Sequence, residues 1–194
     1  MARRNTKAVM VFSAVKLLSE RGVHGLTIDA VLADSQTPRG SVYHHFPGGR
    51  NQLLLEAAQA ASAQISGAMK EAITSADVAG TLDRFVAFWR DYLERTEFRA
   101  GCPIVALLAG DDVPKEVFEV AQTCFVGLIA DLARAVQASG VGAAEAERIA
   151  ATAISAIEGA IALCRALRSS APLDLVAEQL RGTLEVDSWI WPDQ

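Results

Sequence analysis

Cysteine is scarce in this 194-residue chain, and its positions exclude two kinds of site. The three cysteines are Cys102, Cys124 and Cys164, which lie 22 and 40 positions apart. These spacings match neither a metal-binding knuckle nor a disulfide framework. Three free thiols in a reducing cytosol are the simplest interpretation, so we expect a cytoplasmic protein.

Histidine is equally scarce, and it is confined to one part of the chain. His24, His44 and His45 all lie within the first 50 residues. The rest of the chain therefore has no histidine for a nucleophile–base pair or a metal site, and no glycine loop follows a strand-like run. We expect no metal ion and no cofactor, and an all-helical enzyme remains only as an alternative.

Strand patterns and long hydrophobic runs are also missing. The most apolar window lies between Arg148 and Arg165 and has 16 residues, whereas a membrane-spanning helix needs about 20. The N-terminal apolar run is followed by Lys16 and Glu20 without a small-residue cleavage site, which is unlike a signal peptide. We predict an all-α chain without a membrane span, with longer helices over residues 50–74, 78–97, 113–139, 143–169 and 172–186 and a broken apolar segment, FRAGCPIVALLAGDD, between the second and third of these.

Charge is distributed unevenly along the chain, whose formal net charge is −5. Residues 1–50 hold seven basic and three acidic side chains, whereas the remainder holds eleven basic and twenty acidic ones. A basic first quarter on an acidic body indicates two roles in one chain. The basic part is suited to a polyanionic partner.

Helix-breaking residues divide the basic part, residues 1–50, into three predicted helices. The first is predicted over residues 5–20, and Gly22 can take the left-handed conformation that ends a helix. Thr27 is predicted to cap the second helix, and Asp29 favours the positive end of the dipole of this helix.

The third helix is short and has clear boundaries. After a break at residues 35–37, Thr37 is predicted to cap the helix with Pro38 in its first position, where the missing N–H costs nothing. The sequence Pro47-Gly48-Gly49 ends it within about nine residues.

Two short helices joined by a three-residue turn make a helix-turn-helix pattern, whose second helix lies in the DNA major groove. Residues 38–45 would form that recognition helix. Arg39 can read guanine with two hydrogen bonds, and the missing side chain of Gly40 lets the backbone approach DNA. Arg50 begins the following helix, where a phosphate is favoured. The predicted DNA-binding residues are Thr27, Thr37, Pro38, Arg39, Gly40, Ser41, Tyr43, His44 and Arg50.

The aromatic residues of this segment have a simpler interpretation as core. Tyr43 and Phe46 could both pack inside a small helical subdomain, and for Phe46 we adopt this interpretation. His44 and His45 are adjacent and diverge by about 100° on a helix, so they are poorly placed to chelate one metal ion.

The stretch GLTIDAVLADSQTPRGSVYHHFPGG resembles the DNA-binding signature of the TetR family of transcriptional regulators. Its signature positions are Thr27, Gly40, Tyr43, Phe46 and Pro47. The resemblance implies a homodimeric, ligand-responsive repressor that binds a pseudo-palindromic double-stranded operator. A helix-turn-helix domain over residues 1–50 and an effector-binding and dimerisation bundle over residues 51–194 are then expected, about nine helices in all. A regulator without ligand response remains an alternative.

Two features depart from the family pattern. Gln36 stands where the turn usually holds glycine, which implies a different turn or a left-handed glutamine. Residues 47–50 form a stretch that is one residue longer than the common form. The segment GCPI at 101–104, EGA at 158–160 and LCRA at 163–166 resemble one branch of the family.

An apolar, aromatic effector is predicted inside the bundle. Aromatic residues recur at helical spacing on two predicted helices, and glycine and proline interrupt the segment between them. The predicted ligand-binding residues are Phe85, Phe88, Trp89, Tyr92, Cys102, Pro103, Ile104, Phe118, Gln122, Phe125 and Glu158.

A dimer interface is predicted on the last two helices. Small residues at helical spacing allow helices to approach closely, and a self-complementary stripe can form a four-helix interface. The predicted interface residues are Ala146, Ala150, Ala153, Ala160 and Leu175. Packing of these alanines within one subunit is the alternative.

Overall fold

The computed structural model describes residues 6–73, 77–110 and 113–187, with side chains described as far as residue 182. All regular structure in these ranges is helical, as predicted. The helices are α1 (Thr6–Gly25), α2 (Ile28–Ser35), α3 (Arg39–His45), α4 (Gly49–Ala72), α5 (Val78–Arg95), α6 (Pro103–Leu108), α7 (Lys115–Ala138), α8 (Ala143–Leu167) and α9 (Ala171–Asp187). The predicted helix ends at residues 5 and 74 lie outside the described residues.

The turns of the N-terminal segment follow from single residues. Gly22 has φ 69° and interrupts the helical geometry of α1, because glycine tolerates a positive φ without steric cost. Thr27 caps α2, and its side-chain oxygen accepts a hydrogen bond from the Ala30 amide at 3.1 Å. Gln36 ends α2 with φ 53°, so the turn keeps the left-handed conformation although glycine is absent.

The start of α3 differs from the prediction by one residue. Pro38 is the cap residue, with an extended ψ of 142°, and the helix begins at Arg39. Thr37 does not cap it, because Thr37 lies one residue before the cap position, and its hydroxyl is 2.6 Å from the Ser35 hydroxyl. The prediction of a Thr37 cap was therefore wrong.

The chain forms two compact units. Among the described residues, those within 1–64 and 100–124 form unit 1, and those within 65–99 and 125–194 form unit 2. The predicted division at residue 50 separates DNA-binding residues from the rest of the chain. The compactness of the two units does not show which residues bind DNA, so this division stays a prediction.

The core of unit 1 is built around α1, which packs against α2 and α6. Its apolar stripe of Met10, Ala14, Leu17 and Leu18 is buried. The Gly101 amide donates a hydrogen bond to the Ser19 carbonyl at 3.0 Å, which fixes the segment leading into α6 beside α1.

The core of unit 2 lies among α5, α8 and α9. From α5 it takes Leu82, Phe85, Val86, Trp89 and Leu93. Arg90 of α5 donates to Asp174 of α9 from Nε at 3.0 Å, and Arg181 of α9 lies 3.5 Å from Asp83 of α5. These pairs connect α5 and α9 at the surface of unit 2.

Helix α8 is long and apolar enough to cross a membrane by length and composition alone. Eight of its residues, at helical spacing from Ala146 to Cys164, are buried within the chain. A buried stripe of this kind is typical of a core helix, and we interpret α8 as the central helix of unit 2.

Candidate functional site

The exposed face of α3 collects the predicted DNA-reading residues. Arg39, Gly40, Tyr43 and His44 are exposed, and Ser41 is half-buried. Arg39, Gly40, Tyr43 and His44 occupy positions i, i+1, i+4 and i+5 of the helix, which share one face. The opposite face carries Val42 and Phe46, both fully buried. The core interpretation of Phe46 is confirmed, whereas Tyr43 is 62% exposed and contributes little to the core.

Gly40 has no structural reason to be glycine within the described part of the chain. A Cβ built at this position would have no heavy-atom neighbour within 4 Å, and its φ is not in the left-handed region. Glycine in a helix is less favourable than alanine by about 0.5–1 kcal/mol. The bare backbone at Gly40 therefore leaves room for another molecule on the exposed face of α3.

Arg39 forms an ion pair with Asp29, which lies in the first turn of α2. The guanidinium Nη2 donates to Asp29 Oδ1, and both side chains are mostly exposed. Sequence reasoning credited Asp29 only with an effect on the helix dipole and missed this contact. The ten-residue separation matches no helix periodicity, so only the fold of the turn brings the two side chains together.

Arg50 has a structural role that the sequence did not indicate. Its Nε donates to the Leu26 carbonyl at 2.8 Å, and its Nη2 donates to the Val23 carbonyl at 2.6 Å. Carbonyls at a helix end need donors from elsewhere, and Arg50 supplies two. The guanidinium thus connects the start of α4 to the end of α1, and a phosphate contact of Arg50 stays a prediction.

Ion pairs position the helices behind α3. Lys16 of α1 donates to Asp34 of α2 at 2.5 Å, and Lys7 of α1 lies 2.8 Å from Glu56 of α4. Partial burial raises the pKa of Asp34, but hydrogen bonds from Lys16 and Ser13 and the charges of Lys16 and Arg21 outweigh it. The pKa of Asp34 is therefore lowered, and the carboxylate is charged at neutral pH.

Four of the predicted ligand-binding residues form one aromatic cluster along α5 in unit 2. The ring centroids of Phe88 and Trp89 are 5.3 Å apart, and Phe85 and Tyr92 extend the cluster at 6.2 and 6.0 Å from Phe88 and Trp89. Trp89 is 1% exposed, and its buried Nε1–H finds no acceptor among the described residues. A buried donor without an acceptor costs about 1–3 kcal/mol.

The other predicted ligand-binding residues are divided between the units. Phe125 and Glu158 belong to unit 2, whereas Cys102, Pro103, Ile104, Phe118 and Gln122 belong to unit 1. The first three of these unit 1 residues are buried at the start of α6.

Phe118 and Gln122 do not face an interior. Phe118 is 50% exposed and Gln122 is exposed, because the buried stripe of α7 runs through Val117, Ala121 and Cys124. Their exposure does not favour the predicted role of Phe118 and Gln122 in an effector site inside the bundle, and this role stays a prediction.

The predicted alanine stripe lies inside the subunit. Ala146, Ala150 and Ala153 have no exposed surface, and Ala160 is 2% exposed. Such residues have almost no area left to bury against a second molecule, which favours the alternative that the stripe packs within one subunit, and the position of the interface stays a prediction. Leu175 differs from the alanines, since it is 66% exposed.

An apolar surface remains on α8 and α9. Leu163 and Leu167 near the end of α8 are 55% and 65% exposed. Leu175 near the start of α9 is also exposed. A groove of about 490 Å³ also opens between the two helices, with Ile149, Thr152, Ala156, Val176 and Leu180 on its walls. We call these residues of α8 and α9 the α8–α9 surface.

A metal site is not found within the described ranges, where no three histidine, cysteine or acidic side chains cluster. The thiols of Cys102, Cys124 and Cys164 are all buried, and none of the three is in a disulfide. Burial raises the pKa of the Cys164 thiol, to which the nearby charge of Asp174 adds, so this thiol is protonated and weakly reactive.

Two parts of the chain match known protein families. Residues 13–57 match a family model described as "Bacterial regulatory proteins, tetR family". Residues 78–179, just over half of the chain, match one described as "Transcriptional regulator LmrA/YxaF-like, C-terminal domain".

The chain is also similar to individual proteins over most of its length. It is 41% identical over 181 residues to the uncharacterized HTH-type transcriptional regulator Rv0196 of Mycobacterium tuberculosis, which covers 90% of this chain and 92% of that protein. It is 26% identical over 182 residues to the uncharacterized HTH-type transcriptional regulator YxaF of Bacillus subtilis, covering 92% and 95%. The crystal structure of a TetR transcriptional regulator from Legionella pneumophila matches with a TM-score of 0.83 at 17% identity, over 94% of this chain and 99% of that one. This last likeness concerns the fold alone.

Proposed function

Since the chain belongs to the TetR family of transcriptional regulators, we propose that it is a cytoplasmic, dimeric repressor released from a palindromic operator by a small apolar or aromatic effector. It is a DNA-binding regulator, and this class is not enzymatic. Repression, dimerisation and effector response are the parts that belong to the proposal.

DNA reading rests on the exposed face of α3. In the major groove, Arg39 would donate two hydrogen bonds to a guanine, while Tyr43 and His44 would bond phosphates or base edges. Gly40 would allow the α3 backbone to approach the DNA closely. Thr27, Thr37, Pro38 and Ser41 lie at or near the starts of α2 and α3, where phosphate oxygens are favoured. The observation that carries this part is the contrast between the exposed polar face and the buried Val42 and Phe46.

Dimerisation is assigned to the α8–α9 surface. A two-fold dimer buries the same patch on both copies, and exposed leucines such as Leu163, Leu167 and Leu175 supply apolar area for it. The groove beside Thr152 and Ala156 would accept side chains from the second copy. The two-fold axis would require two half-sites in the operator, about one helical turn apart or a multiple of it.

Effector binding is assigned to the aromatic cluster of α5. The observation that carries it is the buried Trp89 Nε1–H without an acceptor among the described residues. An apolar effector with one carbonyl or ether oxygen would satisfy this donor while its rings contact Phe85, Phe88 and Tyr92.

Release from DNA requires that effector binding in unit 2 change the conformation of α3. The effector need only prefer the conformation that binds DNA poorly, with a coupling free energy of about 1–3 kcal/mol. Helix α4 extends from the end of the recognition segment to residue 72, and α6 is joined to α1 through Gly101 and Ser19. These two elements are the candidates for the moving parts.

A selection from random duplex DNA tests the proposal. The purified protein should enrich a pseudo-palindromic site, and planar aromatic compounds with a hydrogen-bond acceptor should then release this site in a titration. Enrichment without a symmetric site would contradict the dimer. A selected site that no such compound releases would favour the alternative, a DNA-binding regulator without ligand response.

A further inference from the structure

Asp29 is an unusual residue on a surface that faces DNA. Its carboxylate is exposed on the first turn of α2, next to the recognition helix, where a negative charge is repelled by phosphates. An exposed ion pair adds little to the stability of a fold. Apart from the dipole of α2, the fold therefore gives no strong reason for an acid at this position.

The carboxylate of Asp29 is held on a rigid support. Thr27 caps α2 through its hydrogen bond with the Ala30 amide, and Val31, in the same first turns, is fully buried. Asp29 is a short side chain on this fixed turn, whereas Arg39 has a long, flexible one. Their ion pair thus restricts the arginine more than the aspartate.

The contact uses only part of the arginine. Nη2 of Arg39 donates to one carboxylate oxygen of Asp29, and a guanidinium has five donors in a planar fork. This contact restrains one end of the guanidinium and leaves its other donors for a further partner. Bidentate recognition of guanine requires an oriented planar fork of this kind.

We propose that Asp29 is a positioning residue that holds the Arg39 guanidinium for base reading and makes the arginine selective. An unpaired arginine at this place would bind any phosphate or guanine within its reach. Pairing with Asp29 partly neutralises its charge, which lowers sequence-independent binding, and orients its free donors toward one base. This inference rests on the proposed placement of α3 in the major groove.

The test compares Asp29→Asn with the wild-type protein in the random-duplex selection. Asparagine keeps the size of the side chain and removes its charge. Asp29→Asn should relax the preference at one base position in each half-site, with about a 3- to 10-fold loss of discrimination there. Its affinity for a scrambled duplex should rise, and Asp29→Glu, which retains the charge, should restore part of the discrimination.

Asp34→Asn is the matched control. It removes the same charge from the same helix and breaks the ion pair with Lys16, but its partner is on α1. It should change the affinities for selected and scrambled duplexes by the same factor and leave base preference unchanged. Equal loss of discrimination in Asp29→Asn and Asp34→Asn, or no loss in Asp29→Asn, would overturn the inference.

Arg39→Ala separates this inference from the proposed function. If Arg39→Ala relaxes a base position and Asp29→Asn does not, the role of Asp29 is refuted while α3 stays in the groove. If Arg39→Ala leaves the selected site unchanged, the placement of α3 itself fails. In the Arg39→Ala background, Asp29→Asn should have no further effect on base preference. Thermal unfolding of each variant detects any loss of the dipole effect on α2.

Discussion

Replacing Gly40 by alanine should raise the stability of the protein and weaken its binding to DNA. A Cβ at Gly40 would meet no heavy atom within 4 Å in the described part of the chain, so the methyl group causes no clash. Alanine also loses less backbone entropy than glycine on folding. Because Gly40 is only the second residue of α3, we expect a gain of about 0.5 kcal/mol in the free energy of unfolding, the lower end of the usual range.

The effect on DNA has the opposite sign. If the α3 backbone lies against a sugar or phosphate at Gly40, a methyl group must displace it, and such overpacking costs about 1–3 kcal/mol. Affinity for the operator should therefore fall about 5-fold or more. Fluorescence anisotropy with a labelled operator duplex measures the affinity, and urea unfolding measures the stability.

Gly67→Ala is the matched control for this experiment. Gly67 lies inside α4, also without a heavy atom within 4 Å of a built Cβ, and it is far along the chain from α3. It should stabilise the protein by about 0.5–1 kcal/mol and leave DNA affinity unchanged. Wild-type DNA affinity in Gly40→Ala would refute the close approach of the α3 backbone, and the stability gain rules out unfolding as the cause of a loss.

The other predictions concern the dimer, the effector and acid. Leu175→Arg should shift sedimentation from dimer to monomer while helicity is kept, whereas Ala153→Arg should unfold unit 2, because it buries a charge at a position without exposed surface. An unchanged Leu175→Arg dimer would place the interface elsewhere. Trp89→Phe, which removes the indole donor, should raise the effector concentration needed to release DNA without changing operator affinity; an unchanged titration would exclude Trp89. Because folding lowers the pKa of Asp34, its pair with Lys16 stabilises the fold fully above the ordinary carboxyl pKa of about 3.9. This stabilisation is lost as the pH falls through the lower pKa of the folded state. The melting temperature of Asp34→Asn should therefore depend less on pH between about pH 5 and 2 than that of the wild type. The same pH dependence of the melting temperature in both proteins would contradict the stabilising role of the Asp34–Lys16 pair.

The sequence predicted the local features of the fold well, because short-range chemistry decides them. Thr27 caps α2 as expected, and Gln36 takes the left-handed conformation that the absence of glycine left open. The predicted Thr37 cap was wrong, since Pro38 takes the cap position and α3 begins one residue later than expected. Arg39 is exposed on α3, as its predicted role on a recognition helix requires.

Contacts between helices could not be predicted in the same way. Helical spacing showed that Ala153 and its neighbours share a face of α8, but not that this face is buried within the subunit, because α8 also carries apolar residues such as Leu163 on its exposed side. The bond from Arg50 to the Val23 carbonyl joins residues 27 positions apart, and the Asp29–Arg39 pair depends on the fold of a turn. Periodicity contains no information on any of these contacts.

Operator affinity of Arg39→Ala is the most direct test of the claim that α3 reads DNA. Arg134→Ala is its control, since Arg134 is an exposed arginine of α7 that is paired with Asp131. Titrations at several salt concentrations should show that Arg39→Ala binds the selected operator about 5- to 150-fold more weakly, which corresponds to about 1–3 kcal/mol for one bidentate base contact. Arg134→Ala should bind like the wild type. Wild-type affinity and salt dependence in Arg39→Ala would contradict the account.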